Sequence, residues 1–129
     1  MRDDPSGIDD REALGHVAHE AVAEEYAPLG HTEFSTNINK LSGSGADIVF
    51  SDLVGDSIVA FYKQFRQFGL KADDIPICTP ITTEQEIAAM GAENAMGHYT
   101  SFNYFKSVDT PENKSFVERS FSMSFVCLP

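Results

Sequence analysis

Apolar positions along this chain follow two kinds of pattern, a helical period and short continuous runs. Phe34, Ile38 and Leu41 are spaced i, i+4, i+7, which predicts a helix whose N-cap is Thr32. Residues 47–51, DIVFS, form a short apolar run of β-branched and aromatic side chains. Such a run predicts a buried strand of a parallel sheet. The first clear unit is therefore a helix followed by a buried strand.

The alternation of strand and helix continues along the chain. The turn at residues 55–57 leads into a second helix, and residues 75–79 predict the next strand. The second helix has an apolar stripe at five positions: Ile58, Phe61, Tyr62, Phe65 and Phe68. Thr83 and Glu86 match the capping box that opens a helix, here a short one. Each of these strands is thus followed by a turn and a helix.

Weaker patterns extend the series at both ends. Residues 21–26 are a weak strand candidate, and residues 97–105 resemble a further strand. Thr110 as a cap and Pro111 at the first helical position predict a last helix, with Phe116 facing the core. The order βαβαβαβα predicts an α/β fold, a parallel sheet with flanking helices and right-handed crossovers. Ligands of such sheets bind at the carboxyl ends of the strands, so the candidate ligand loops are residues 29–32, 51–57, 79–83 and 104–110.

The two ends of the chain differ from its body. Residues 1–13 are rich in Asp, Pro, Ser and Gly, which predicts a disordered lead, and Asp10 is a candidate cap for a short helix. Residues 14–118 form the predicted domain. Residues 119–129 alternate Ser with large apolar side chains and carry no charge after the first of them. This atypical tail fits either a strand or a non-native segment.

Composition limits the class of protein. The 129 residues are 42% hydrophobic, which suits one globular domain. No apolar run approaches the ~20 residues of a membrane span, so we do not expect the chain to span a membrane. The polar, acidic N-terminus lacks the apolar segment of a signal peptide, and we expect none in this chain. A net charge of −11 repels phosphate backbones and disfavours nucleic acid as a partner.

No catalytic or cofactor motif stands out in the sequence. His16 and His19 are three residues apart, as in some metal sites, but without further ligands nearby we expect exposed side chains and no metal. Cys78 and Cys127 lack CxxC spacing and fit either a disulfide or two buried thiols. His98 begins a predicted strand, where a satisfied structural role is the default. We therefore expect neither a cofactor nor enzymatic activity.

Polar residues at the predicted strand ends are the candidate ligand contacts. Asp56 begins the second helix, where an N-cap role is favoured over a ligand contact, although both can hold. Thr79 and Thr82 lie at the end of the strand at residues 75–79, and Thr83 is already assigned to a cap. Hydroxyls there suit a small, neutral, polar ligand, because each can donate and accept a hydrogen bond. Ordinary turn chemistry is the alternative for either residue.

A set of segments spread over most of the predicted domain has the order and spacing of one family. The segments are YAPLGHTEF at 26–34, ADIVFS at 46–51, GDS at 55–57, VAFYKQ at 59–64, DDIP at 73–76, GAEN at 91–94, GHY at 97–99, NYF at 103–105 and SVDTPENK at 107–114. In this order they resemble the receptors of ABC importers for urea and short-chain amides. These receptors belong to the branched-chain amino-acid binding protein superfamily.

The resemblance implies two α/β lobes joined by a hinge, of which this chain is one incomplete lobe, the middle of the second, of a type I periplasmic-binding-protein fold. It implies capture of urea or a small neutral amide between the lobes, closure, and delivery to an ABC permease. The full-length receptor would be periplasmic or otherwise extracytoplasmic. The ligand-binding residues carried over from the family's loops are Val54, Gly55, Asp56, Thr79 and Thr82. This chain has Val54 where the family usually has Asn.

Two other interpretations remain open. One is a cytoplasmic amide-sensing regulator of the same fold, which Thr82, Thr83 and residues 109–111 also fit. A signal peptide in the upstream gene sequence would separate the importer from the regulator. The other is a truncated, non-functional fragment, because the resemblance leaves out the first lobe and the C-terminal segments. We accordingly expect the chain alone to bind urea or acetamide weakly or not at all.

Overall fold

The structure, a computed structural model, describes residues 20–124, with side chains described as far as residue 121. The elements in this range are α1 (Ser35–Ser42), β1 (Val49–Phe50), α2 (Asp56–Gln67), β2 (Ile77–Thr79), α3 (Glu84–Met90), α4 (Ala92–Ala95), β3 (Tyr99–Thr100) and α5 (Pro111–Ser124). None of the described helices is long and apolar enough to cross a membrane. The α/β class predicted from the sequence is confirmed.

The three described strands form one parallel sheet in the order β1-β2-β3. Val49 lies opposite Ile77, and Cys78 lies opposite Tyr99. Helix α2 connects β1 to β2, and helices α3 and α4 connect β2 to β3. The predicted parallel sheet with flanking helices is therefore confirmed for the part of the chain that the structure describes.

The core lies on one face of the sheet. Its buried apolar members are Phe34, Ile38, Ile58, Phe61, Tyr62, Phe65, Ile77 and Met90. Helix α2 contributes four of these side chains, which confirms its predicted stripe except for Phe68, which is 46% exposed beyond the last helical residue. Burial of each large apolar side chain contributes roughly 1.5–3 kcal/mol. Helix α2 is therefore the main support of the fold.

The start of α1 differs from the prediction. Thr32 is not the N-cap, because the helix begins at Ser35 with Phe34 in the cap position and no side-chain cap. Gln64 of α2 supplies the missing contacts. Its Oε1 accepts the N–H of Phe34 at 2.8 Å, and its Nε2 donates to the Thr32 carbonyl at 2.7 Å. Glu33 Oε1 also accepts the N–H of Ser35, the first helical residue, at 3.0 Å. A contact between two helices and a nearby carboxylate thus replace the N-cap side chain.

Two predicted helix starts are confirmed. At α3 the Thr83 hydroxyl accepts a backbone N–H of the first turn, while the Thr83 N–H donates to Glu86 Oε2 at 2.9 Å, which completes the predicted capping box. At α5, Thr110 Oγ1 accepts the N–H of Asn113 at 3.2 Å. The sequence predicts these starts because both partners of each bond lie within one turn.

The strand predicted at residues 21–26 is wrong, because this segment has no regular secondary structure. Glu25 instead binds two side chains of α1, Lys40 Nζ at 2.7 Å and Asn37 Nδ2 at 3.2 Å. The described sheet consists of β1, β2 and β3 and does not include this segment. Val22 is accordingly 53% exposed. The apolar residues that favoured a strand have neither a ladder partner nor a place in the described core.

The strand predicted at residues 97–105 is shorter than expected and consists of Tyr99–Thr100. After these two residues the chain leaves the sheet. Phe102 and Phe105 then pack on each other, with ring centroids 6.4 Å apart. The aromatic run therefore reflects packing within a loop and not alternation along a long strand.

Helix α5 continues through Ser124, so no strand forms over the described part of the predicted tail. Phe116, predicted to face the core, is 51% exposed and packs on Tyr104 with ring centroids 5.6 Å apart. The helix contacts the loop that precedes it, which explains why Phe116 does not reach the core. The rest of the tail, the predicted lead at residues 1–13 and the short helix capped by Asp10 lie outside the described residues.

The sheet has one covered and one open face within residues 20–124. Helices α1, α3 and α4 all contact α2, and the face that they cover includes the fully buried Ile77. On the opposite face Phe50, Cys78 and Tyr99 form a row across the strands. Phe50 is 74% exposed and Tyr99 63% exposed. Strand β1 is therefore partly buried on one face, through Val49, and exposed on the other, which corrects the prediction of a buried strand.

Candidate functional site

The predicted ligand loops follow β1 and β2 at the carboxyl edge of the sheet. Because these strands are parallel neighbours, the loops at residues 51–55 and 80–83 leave from the same edge. The N–H of Ser51 donates to the Cys78 carbonyl at 2.8 Å, which holds the two strand ends side by side. The structure thus brings both predicted segments together.

Four buried hydroxyl side chains lie at this edge, and we call them the edge hydroxyls: Ser51, Ser57, Thr79 and Thr82. They are 2–6% exposed, and no charged side chain of the described residues is buried to that degree. Thr79 and Thr82 are predicted from the sequence. Ser51 and Ser57 are not among the predicted ligand contacts, although they are the two ends of the predicted loop at residues 51–57, and that position was the available signal. The edge is therefore polar but uncharged in its buried part.

Hydrogen bonds link some of the edge hydroxyls. Thr82 Oγ1 donates to Thr79 Oγ1 at 3.3 Å, and Thr79 Oγ1 also accepts the N–H of Ile81 at 3.4 Å. The hydroxyl of Tyr62, from α2, forms a hydrogen bond with Thr82. Burial raises the pKa of Tyr62 to about 12, so its phenol stays uncharged at neutral pH. The three side chains form a neutral network that ties the sheet edge to α2.

Ser57 differs from the other edge hydroxyls, because its Oγ has no hydrogen-bond partner among the described residues although the side chain is 2% exposed. A buried unpaired hydroxyl costs about 1–3 kcal/mol. Ser57 lies in the first turn of α2, whose N-cap residue, Gly55, forms no side-chain cap. The start of α2 therefore retains hydrogen-bonding capacity that the capped start of α3 does not.

Most of the predicted loop at residues 51–57 is exposed between the buried Ser51 and Ser57. Val54 is 45% exposed, and Asp56 is the exposed first residue of α2. The predicted capping role of Asp56 is wrong, because Gly55 occupies the N-cap position. Gly55 has a φ of 57° and a ψ of −132°, a conformation that other residues rarely adopt. Crowding is not the reason for glycine here, since an added Cβ would meet no heavy atom within 4 Å.

The other candidate side chains have structural roles or lie outside the described range. His98 Nδ1 accepts the N–H of Ile77 at 2.9 Å, which confirms the predicted structural role. His16, His19 and Cys127 are outside the described residues. Within residues 20–124, no group of three or more His, Cys, Asp and Glu side chains is arranged to hold a metal ion.

Two cavities have linings that include none of the edge hydroxyls. One, of about 480 Å³, lies between the start of α3 and α5 and includes Glu84 and Phe121 in its lining. The other, of about 370 Å³, lies beside His98. None of the five predicted ligand-binding residues lines either cavity. What the edge itself offers is a set of neutral donors and acceptors, which suits hydrogen bonding to a small polar molecule.

A sequence profile, several curated proteins and a solved structure are similar to this chain. The sequence profile described as "Periplasmic binding protein domain" matches residues 10–125. "Leu/Ile/Val-binding protein homolog 6" of Brucella suis biovar 1 is 38% identical over 111 residues, and so are its namesakes from Brucella melitensis and Brucella abortus. In structure, the chain is similar to an amino acid ABC transporter substrate-binding protein from Pseudomonas fluorescens Pf-5, with a TM-score of 0.66. That protein is 19% identical in sequence, so this likeness shows the fold.

These matches cover most of this chain but a minor part of the other proteins. The aligned region is 84% of this chain and 28% of the Brucella protein. For the Pseudomonas structure the shares are 84% and 29%. The chain thus spans about 28% of the length of the curated relatives it matches. With a profile match over residues 10–125, the chain belongs to the periplasmic binding protein domain family.

Proposed function

We propose that this chain is a piece of the solute-binding component of an ABC importer for urea or short-chain amides. The chain forms one wall of an interlobe cleft with the carboxyl edge of its sheet, and it performs no chemistry on the solute. The full-length receptor is periplasmic or otherwise extracytoplasmic and delivers the solute to an ABC permease. Membership of the periplasmic binding protein domain family supports this class of function.

The observation that carries the proposal is the set of edge hydroxyls. Urea and amides offer a carbonyl acceptor and N–H donors, and hydroxyls can pair with both. Ser57 has an unpaired hydroxyl at this edge, and the start of α2, without a side-chain cap, has backbone N–H groups for a carbonyl oxygen. The exposed carboxylate of Asp56 is an acceptor for amide N–H groups. The edge thus offers both kinds of partner that a neutral amide needs.

Binding of an amino acid is the competing specificity, because the names of the Brucella relatives describe binding of Leu, Ile or Val. A free amino acid carries an ammonium and a carboxylate, which form their strongest bonds with groups of opposite charge. Residues 51–57 and 79–83 contain two Asp and no Lys or Arg. This wall therefore has no cationic side chain for a carboxylate. A carboxylate would find only hydroxyls and the backbone N–H groups at the start of α2 as partners. The carboxylates of Asp52 and Asp56 lie beside them and repel a like charge, which favours a neutral solute.

A cytoplasmic amide-sensing regulator is the second candidate function. The similar proteins are named as a Leu/Ile/Val-binding protein homolog and an ABC transporter substrate-binding protein. Those names favour the importer component over the regulator. The third interpretation, a fragment without function, depends on whether this chain contacts a solute at all, and a direct titration tests it.

Amide NMR shifts of the ¹⁵N-labelled chain, titrated with urea and with acetamide, test the proposal. At 50 mM, urea lowers the free energy of unfolding by only about 0.1 kcal/mol, so unfolding by urea does not contribute to the observed amide shifts. We expect the backbone amides of Gly55, Ser57 and Thr82 to shift with both solutes. We expect leucine at the same concentration to leave these amides in place, because the edge has no cationic partner for its carboxylate.

Two matched variants separate a site from a general solvent effect. Thr82→Val removes an edge hydroxyl while keeping the shape of the side chain, and it should reduce the shifts at Gly55 and Ser57. Thr36→Val changes an exposed residue of α1 and should leave those shifts intact. The proposal is overturned if the two variants respond equally or if leucine alone produces the shifts. Absence of shifts with both amides would favour the fragment without function.

A further inference from the structure

The side chain of His98 occupies a place in the sheet where a backbone carbonyl normally lies. The described pairing of β2 with β3 begins at Cys78 and Tyr99. One residue earlier, the N–H of Ile77 donates to His98 Nδ1 at 2.9 Å. Ile77 is 0% exposed, so water does not replace this acceptor. The imidazole therefore extends the hydrogen-bond ladder of β2 by one position.

Neighbouring residues hold the imidazole in this position. The rings of Tyr62 and Phe65, both on α2, contact it edge to face at centroid distances of 5.0 Å and 5.6 Å. Gly97, just before it, has a φ of 85°, and an added Cβ would lie 2.8 Å from the Cβ of Ala72. Both the backbone conformation and the close approach of Ala72 require glycine at this turn.

The cavity of about 370 Å³ beside the ring brings charged groups near it. These groups are Arg66 of α2, Lys71 and Asp73 of the next loop, and Glu93 of α4. Two are cations and two are anions, so the cavity favours neither charge state of the ring through its net charge. Tyr62, the titratable group packed on the ring, stays neutral because burial raises its pKa to about 12. Burial also lowers the pKa of His98, which keeps Nδ1 available as an acceptor at neutral pH.

We propose that His98 is a pH-sensitive latch on strand β2. The neutral ring holds the Ile77 N–H through Nδ1. When Nδ1 binds a proton it becomes a donor, so two N–H groups face each other and the start of β2 is released. Because β2 ends at Thr79, release of its start also loosens the strand that carries this edge hydroxyl. The latch depends on the sheet geometry and not on which solute the chain binds.

The direction of the pH effect follows from the two states of the chain. Unfolded His98 titrates near its ordinary pKa of 6.5, and in the folded chain the pKa is lower. The unfolded chain therefore binds the proton first as the pH falls. The contribution of the latch to stability is complete above pH 6.5 and is lost as the pH falls through the folded pKa.

Hydrogen exchange of the Ile77 amide and ¹⁵N NMR of the His98 ring test the latch directly. At pH 8 we expect the Nε2–H tautomer and a protected Ile77 amide. Between pH 8 and 5, the protection factor should fall by about tenfold for each unit by which the pKa of His98 is lowered. The Nδ1–H tautomer at pH 8, or a protection factor that does not change, would overturn the proposal.

Three variants tie the pH response to this side chain. His98→Asn places Oδ1 where Nδ1 was and does not titrate, so Ile77 should stay protected from pH 8 to 5. His98→Phe keeps an aromatic ring but no acceptor, and protection should be low at every pH. His31→Asn, in the turn before α1, is the control and should retain the response of the native chain. A response that persists in His98→Asn, or disappears in His31→Asn, contradicts the latch.

Discussion

The hydroxyls of Thr79 and Thr82 lie 3.3 Å apart, both buried at the carboxyl edge of the sheet. Thr79 ends β2 and Thr82 precedes the cap of α3, so the loop between strand and helix is closed by its own side chains. Tyr62 bonds to the same Thr82 from α2. The candidate edge is therefore held by contacts between neutral groups from three elements.

Loss of the Thr82 hydroxyl should be measurable in stability. Thr82→Val removes the partner of both the Tyr62 and the Thr79 hydroxyls, and we expect it to lower the free energy of unfolding by about 1–2 kcal/mol. Tyr62→Phe should cost less in that variant than in the native chain, because the phenol then has no partner to lose. Urea unfolding of the two single variants and the double variant measures this coupling. Strictly additive costs would rule out the bond.

Gly55 should not tolerate a side chain. Gly55→Ala forces alanine into a backbone conformation that is nearly exclusive to glycine, and we expect a loss of about 1–3 kcal/mol. Gly43→Ala is the matched control, because Gly43 has a φ of −96° that alanine adopts freely. It should change stability by less than about 1 kcal/mol. Thermal unfolding of both variants tests the difference, and equal losses would mean that the Gly55 conformation is not required.

The two faces of the sheet should respond differently to truncation. Ile77→Ala opens a cavity in the core and should cost about 2–5 kcal/mol. Phe50→Ala trims a side chain that is 74% exposed and should stay within about 0.5 kcal/mol. Urea unfolding of the two variants makes the comparison. A large cost for Phe50→Ala would show that another surface covers the open face in solution.

The capping box of α3 should make stability depend on acid pH. Hydrogen bonds from Thr83 hold the pKa of Glu86 below its ordinary value of 4.5. This contribution is complete above pH 4.5 and is lost as the pH falls through the folded pKa. Glu86→Gln keeps a capping-box side chain and should flatten the stability profile between about pH 5 and 3. Glu118→Gln, an exposed residue of α5, is the control; equal profiles for the two variants would contradict this role of Glu86.

Helices were the most predictable part of the fold. The apolar stripe of α2 and the caps at Thr83 and Thr110 depend on residues within one or a few turns, so the sequence reports them directly. The start of α1 depends on Gln64, which lies 30 residues from Phe34. A contact between residues so far apart leaves no signal in the local sequence. The local pattern therefore favours Thr32 as the N-cap, a role that Thr32 does not have in the structure.

The candidate site was predictable only in part. Thr79 and Thr82 stand out because hydroxyls cluster after an apolar run. The burial of Ser51 and Ser57 depends on how α2 packs against the sheet edge. This packing cannot be predicted from the local sequence around the two residues. The apolar run at residues 47–51 favours a strand covered on both faces, and nothing within the run indicates that Phe50 is left exposed.

The most direct test of the central claim, that this chain is one wall of an amide-binding cleft, is a calorimetric titration of the chain with acetamide. The chain spans about 28% of the length of its relatives, and one open wall encloses little of a small solute. We therefore predict a dissociation constant of about 1 mM or weaker, a binding free energy no more favourable than about −4 kcal/mol. A micromolar dissociation constant, near −8 kcal/mol, would contradict the account, because it would require a complete site within this chain.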